Sequence, residues 1–118
     1  MLITVCKSKI HRATITDTSI DYVGSITIDE ELMKLAGLVE FEKVQIANIN
    51  NGERVETYVV AAPEGSGQIG ILGAAARKFQ PGDMVIIISF GYYSPEEMQH
   101  RKPLTVVADE KNNIARIL

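Results

Sequence analysis

A mainly β domain, closed into a barrel or folded as a sandwich, is what this sequence predicts, and three observations carry the prediction. Eight short segments are rich in β-branched residues, the side chains that fit a pleated surface. Two of them flank Asn51-Gly52, a dipeptide whose residues tolerate the positive φ angles of a two-residue hairpin turn. A third follows the Gln80-Pro81-Gly82-Asp83 turn and opens with Met84-Val85-Ile86-Ile87-Ile88, an unbroken apolar run suited to a strand buried on both faces. Many short strands in one chain pack as a sandwich or barrel.

In chain order, Leu2 to Val5 and Arg12 to Thr16 read as separate strands, with the basic run Lys7-Ser8-Lys9-Ile10-His11-Arg12 as a solvated strand end between them. The sharper reading of that run, a small-anion site, has less support from composition. Ser25 to Ile28 is the next strand and leads into a helix. Asp29 caps it, Glu30 and Glu31 suit the positive end of its dipole, Leu32, Leu35 and Ala36 give an apolar stripe, and Gly37 stops it. Ile28 and Met33 stand where two apolar side chains staple a helix entry. Val44 to Ile49 and Arg54 to Ala61 are the hairpin strands, and Pro63-Glu64-Gly65-Ser66-Gly67 is an ordinary loop. After Met84 to Phe90, Ser94, Pro95 and Glu97 form a capping box for a short second helix. Leu104 to Ala108 and Ile114 to Ile117 are the last strands.

The chain's 118 residues suit a single domain, 1–118, with one hydrophobic core. With 46% hydrophobic and 23% charged residues it has the composition of a soluble globular protein. A net charge of -3 argues against a nucleic-acid partner, which would call for concentrated Lys and Arg. Cys6 is the only cysteine, so no intrachain disulfide or thiolate metal cluster can form, and a buried, inert thiol is expected. Lys7 interrupts the start too early for a secretory apolar stretch, and no run reaches the ~18 apolar residues of a membrane span. No membrane partner and a cytoplasmic location are therefore expected.

No phosphate-binding glycine loop or paired metal ligands occur, and nothing brings His11 and His100 together, so metal and nucleotide chemistry are not expected. The informative stretch is Tyr22-Val23-Gly24-Ser25. A serine hydroxyl there follows a glycine carbonyl that no side chain shields, and glycine accepts the strained angles that bring the two together. By itself a Gly-Ser pair is usually a turn, as expected at Gly65-Ser66.

Lys9-Ile10-His11-Arg12-Ala13, Tyr22-Val23-Gly24-Ser25, Asn51-Gly52, Thr57-Tyr58 and Gly73-Ala74-Ala75-Ala76 follow one another in an order and spacing that resembles the pyruvoyl-dependent aspartate 1-decarboxylases. The resemblance runs from Lys9 to about Phe90. It implies a double-psi β-barrel, a homotetramer and an autocatalytic cut between Gly24 and Ser25. A 1–24 β chain and a 25–118 α chain would result, with a covalent pyruvoyl cofactor made from Ser25 and no metal. The implied substrate is L-aspartate, converted to β-alanine and CO2 for pantothenate and coenzyme A synthesis. A maturation factor accompanies some relatives.

The same resemblance assigns roles by position. Ser25 is the cleaved and catalytic residue, and Tyr58 is the proton donor, a task a phenol suits because it stays protonated at neutral pH. Arg54 binds a substrate carboxylate through two parallel N–H groups. Lys9 holds the other carboxylate, and Tyr22 lies by the pyruvoyl end. Thr57 and the backbone of Gly73, Ala74 and Ala75 contact substrate or pyruvoyl. On one strand Arg54 and Tyr58 would be about 13 Å apart at ~3.3 Å per residue, a span longer than aspartate, so either the long arginine leans inward or Arg54 serves a neighbouring subunit's site. One position departs from the family pattern: Leu72 stands where asparagine is common, which removes an amide donor. Competing readings are a non-catalytic β-barrel binding module with an inert Ser25, a nucleic-acid-binding regulator, and a precursor that matures inefficiently because of Leu72.

Overall fold

The computed structural model describes residues 1–118. In chain order the elements are β1 (Ile3–Thr14), β2 (Asp17–Ser19), β3 (Ser25–Asp29), α1 (Glu30–Ala36), β4 (Lys43–Asn48), β5 (Arg54–Ala62), β6 (Ile69–Leu72), β7 (Met84–Tyr93), α2 (Pro95–Met98), β8 (Leu104–Ala108) and β9 (Ile114–Ile117), with a 3-10 turn over Ala74–Lys78 between β6 and β7.

The strands form one nine-stranded sheet in the order β2-β6-β3-β5-β4-β7-β1-β8-β9. Only Ile15 and Thr16 separate β1 from β2, so residues 3–19 pair with β7 and β8 on one side and with β6 on the other, and the continuous chain closes the sheet on itself. Closure leaves β9, a four-residue strand paired with β8 alone, as a short edge. β3 lies between parallel β5 and antiparallel β6, and β1 between parallel β8 and antiparallel β7. This repeated pattern is that of a double-psi β-barrel, as the resemblance implies. Asn112 pins the seam: its side chain accepts from Thr14 N–H at 2.7 Å and donates to the carbonyls of Thr14 and Gly67, both at 2.8 Å.

Inward-facing residues alternate along the strands, as a period of two requires. Ile10, Ile87, Ile46 and Val55 are successive cross-strand partners over β1, β7, β4 and β5, and the first three are fully buried. Burying each such isoleucine contributes roughly 1.5–3 kcal/mol. Leu32, Met33 and Ala36 seat α1 on this core.

Both helices form as expected. Asp29 accepts from Glu31 N–H, Gly37 ends α1 at φ 69°, Ile28 and Met33 are both buried, and the Ser94–Glu97 capping box is complete. The buried Asp29 carboxylate also accepts from the N–H groups of Gly65 (3.0 Å) and Gly67 (2.8 Å), so it fixes the glycine-rich loop as well as the helix.

Five expectations differ from the structure. The segments Leu2 to Val5 and Arg12 to Thr16 belong largely to one strand, β1, because bulges between Cys6 and Ser8 and between His11 and Ala13 let the basic run continue the ladder. That run is therefore not a solvated strand end: Ser8 and Ile10 are buried, and Lys7 pairs with Glu42 at 2.7 Å. Cys6 is half-buried, its Sγ 3.9 Å from the Ser8 carbonyl. The hairpin exists, but its connection is longer than two residues. Asn48 N–H donates to the Glu53 carbonyl and Gly52 N–H to the Asn48 carbonyl, so only Gly52, at φ 77°, needs a positive angle. Finally, β7 is fully buried on one face only, through Val85, Ile87 and Ser89, while Met84, Ile86 and Ile88 are half-buried. β2, β6 and the 3-10 turn have no counterpart in the sequence reading, since strands of three or four residues carry too few positions to show a period.

Candidate active site

The structure brings most of the sequence-selected residues to the start of β3, the middle of β5 and the end of β6. Ile26 pairs in parallel with Val59, so Ser25 and Tyr58 each stand one residue before that pair on adjacent strands. Cross-strand neighbours share a sheet face, which sets the phenol beside the serine. Ser25 is 5% exposed and lies opposite Leu72 of β6. Tyr22, by contrast, is 66% exposed, on the loop leading to Gly24.

Gly73 shows how tightly the Gly24 backbone is held. A Cβ added to Gly73 would lie 2.6 Å from Gly24 Cα, 2.9 Å from Gly24 N and 3.0 Å from the Tyr22 carbonyl oxygen. Gly73 also adopts φ 86°, which side chains rarely accept, and its N–H donates to the Ser19 carbonyl at 2.7 Å. Exposed Ala74 and half-buried Ala75 follow in the 3-10 turn, with small side chains that leave the segment around Gly24 accessible. A residue of any size at 73 would displace the Tyr22–Gly24 backbone that leads into Ser25, so the bare glycine keeps room beside the position from which a group at residue 25 would be built.

Thr57 faces the other side of β5, opposite buried Val44, while Tyr58 lies opposite Lys43 on the outer face. An open depression of about 360 Å³ is lined there by Lys43, Glu56, Thr57 and Tyr58. The Phe41 ring borders the phenol, their centroids 6.2 Å apart.

Lys9 and Arg54 are not brought to Ser25. They lie on the outer barrel face, where His11, Ile86, Ala47 and Arg54 form one row of register partners and Lys9, Ile88, Gln45 and Glu56 form the next. Arg54 Nη1 donates to Gln45 Oε1 at 3.0 Å, which ties the two rows together. His11, to which the sequence reading gave no role, shares this cationic face. Its spacing two residues from Lys9 along a strand was the signal, since residues i and i+2 face the same way.

Burial, followed by the charges of Arg12, Lys9 and Arg116, holds the His11 imidazole below the ordinary histidine value. A depressed folded value means that the unfolded chain takes up its proton first as pH falls. Stability present above the unfolded value of about 6.5 should therefore be lost as pH drops through the lower folded one. NMR titration should put the His11 midpoint below that of free histidine and move it upward in Arg12→Gln. An unshifted midpoint in the parent chain would contradict this account.

Comparison with known proteins identifies the family. Residues 1–115 match the family model described as aspartate decarboxylase. A protein of Caldicellulosiruptor bescii named aspartate 1-decarboxylase is 56% identical over 99% of this chain and 91% of its own length. Proteins of the same name from Acetivibrio thermocellus (56% identical, 99% of this chain and 93% of the relative) and Lactiplantibacillus plantarum (53%, 98% and 89%) match equally broadly. A crystal structure of a computationally designed protein, msDPBB_sym2, overlaps 72% of this chain and 96% of its own with 22% identity and a TM-score of 0.44; the fold above is read from strand pairing alone. A family match over nearly every residue, on a barrel that holds Gly24-Ser25 against Gly73 and beside Tyr58, means that this chain belongs to the aspartate decarboxylase family.

Proposed function

We propose that the chain is the precursor of a pyruvoyl-dependent aspartate 1-decarboxylase, which makes β-alanine and CO2 from L-aspartate after cutting itself at Gly24-Ser25. The observation that carries this reading is the close approach of the Gly24 backbone to Gly73, next to a serine that is 5% exposed and a phenol one strand away.

In maturation the Ser25 hydroxyl attacks the Gly24 carbonyl, the C–N bond breaks, and an ester replaces the amide. Loss of the Ser25 α-proton and departure of the Gly24 carboxylate give a 24-residue chain and a dehydroalanine at position 25. Water then replaces its nitrogen, ammonia leaves, and the 25–118 chain begins with a pyruvoyl group. A pyruvoyl ketone supplies a carbonyl that condenses with an amine and accepts the electron pair released with CO2.

The remaining work falls to this chain's own side chains. Tyr58 holds a proton on the face it shares with Ser25 and delivers it to the carbon that has lost CO2. Arg54 grips one substrate carboxylate with two parallel N–H groups, and Lys9 provides a second positive charge. Tyr22 and the main chain of Gly73, Ala74 and Ala75 bound the end near position 25, while Thr57 supports it from inside the barrel.

Because Arg54 stands four residues from Tyr58 along β5 and Lys9 lies across β4 and β7 from that strand, we assign each complete site to two subunits of a homotetramer. One supplies Ser25 and Tyr58, the other Lys9 and Arg54. The family assignment further supports a cytoplasmic enzyme supplying β-alanine for pantothenate and coenzyme A, and a maturation factor of the kind that accompanies some relatives would act on the Gly24-Ser25 step. No helix is long and apolar enough to cross a membrane, and no group of three or more His, Cys, Asp or Glu is placed to hold a metal ion.

Leu72 favours a second reading, an inefficiently maturing precursor, since it sets an apolar side chain opposite Ser25 where an amide could have donated a hydrogen bond. Denatured intact mass decides between them. The expected result is a 24-residue chain and a 94-residue chain spanning 25–118, the larger one ammonia lighter than a serine start, with CO2 released from aspartate. An uncut chain that is cleaved only after prolonged warming identifies the slow precursor. A chain that stays whole and inert after warming overturns the proposal.

A further inference from the structure

Phe41 is a structural exception. It takes φ 69°, a left-handed backbone angle that bulky residues avoid, and it is 70% exposed. Such strain persists only where the surroundings enforce it, and it concentrates at functional positions.

The enforcing contacts are on both sides of the residue. Phe41 N–H donates to the Val59 carbonyl at 2.7 Å, and Val59 N–H donates to the Glu42 carbonyl at 3.1 Å. These two bonds extend the β4–β5 ladder one step past the Lys43–Tyr58 pair. The Glu42 carboxylate is anchored by Lys7 at 2.7 Å, by Val39 N–H at 3.1 Å and by the Ser89 hydroxyl. Lys7 also donates to the Gly37 carbonyl at 3.0 Å, tying down the start of the same loop. Burial alone would raise the Glu42 carboxyl, but these hydrogen bonds and the Lys7 charge hold it below the usual carboxylate range, so the anchor stays ionised. The loop thus has little freedom to relieve Phe41.

What the enforced angle achieves is a contact with Tyr58. The two rings lie 6.2 Å apart at 50°, the tilted geometry aromatic pairs prefer. Tyr58 otherwise borders an open depression, in which an unsupported phenol could turn and water could reach it from several sides.

We propose that Phe41 is a positioning residue for Tyr58: the Lys7–Glu42–Ser89 anchor forces it into a left-handed conformation, and its ring restrains the phenol and shields one side of it from water. The proposal rests on the reading of Tyr58 as proton donor, and one set of variants tests the two separately.

In the processed enzyme, Phe41→Asn should raise Tm, because asparagine accepts the left-handed angle, yet lower kcat about three- to tenfold with KM within about twofold. Phe41→Tyr, which keeps a ring, should hold kcat within about twofold of the parent. In a Tyr58→Phe background, Phe41→Asn should cause no further loss in the residual rate. A merely structural role would move Tm and kcat in the same direction. If Tyr58→Phe keeps the parent kcat, the proton-donor reading fails and this proposal with it. If Tyr58→Phe is impaired but Phe41→Asn keeps the parent kcat, or if the two losses add fully, the positioning role alone is overturned.

Discussion

The Ser25→Ala chain is expected to remain a single 118-residue polypeptide and to release no CO2 from aspartate, whereas the parent sequence should yield two chains. Alanine keeps the backbone and most of the volume of serine but has no hydroxyl to attack the Gly24 carbonyl, so the amide cannot become an ester. The site should otherwise stay intact. Position 25 is 5% exposed and is held by strand pairing with Leu72, and removing one hydroxyl there leaves that ladder in place. Thermal unfolding should therefore change little while cleavage disappears. Denatured intact mass and an aspartate-dependent CO2 assay check both halves. Cleavage at position 24 in the alanine variant would exclude Ser25 as the nucleophile, and decarboxylation by an uncut chain would exclude the pyruvoyl mechanism.

Mixed oligomers of Arg54→Ala and Tyr58→Phe chains should recover activity that neither variant has alone. Loss of the Tyr58 proton donor is expected to lower kcat by roughly 10²- to 10⁴-fold, the usual worth of a positioned acid. Loss of a guanidinium that binds a carboxylate should cost about 10- to 100-fold in kcat/KM, from hydrogen bonds to charged groups. If a site takes Tyr58 from one subunit and Arg54 from a neighbour, random mixing of equal amounts leaves about one site in four intact. Recovery to about a quarter of the parent rate, measured after co-expression or co-refolding, would follow. If both residues came from the same chain, every site in the mixture would carry one defect and no recovery would occur. The structural reason to expect recovery is separation within one face: Arg54 stands four residues from Tyr58 along β5, about 13 Å at ~3.3 Å per residue, and Lys9 lies across β4 and β7 from that strand, in register with Ile88 and Gln45.

Much of the architecture was legible without coordinates. The helix at Glu30–Ala36 was readable because its cap, its acidic first turn and its terminal glycine are local signals, each acting within a turn of the residues it concerns. The capping box at Ser94 was readable for the same reason. The resemblance supplied the Gly24-Ser25 junction, which local rules alone would have read as a turn like Gly65-Ser66. The basic run of β1 was misplaced because two bulges carry it into the barrel wall, and a bulge depends on the partner strand, which composition does not reveal. The apolar run of β7 was read as buried on both faces because hydrophobicity alone cannot tell a covered face from a half-exposed one.

What the sequence by itself determined is the β class, the two helices with their caps, and the family, since these depend on neighbours in the chain or on motif spacing. Only the tertiary structure decided that the sheet closes through residues 3–19, that Gly73 presses on Gly24, and that Tyr58 lies beside Ser25 while Lys9 and Arg54 do not. It alone revealed the strained Phe41 over the phenol. The physical reason is distance along the chain: Gly24 meets Gly73, and Lys7 meets Glu42, across tens of residues, and only the register of paired strands fixes which side chains face each other.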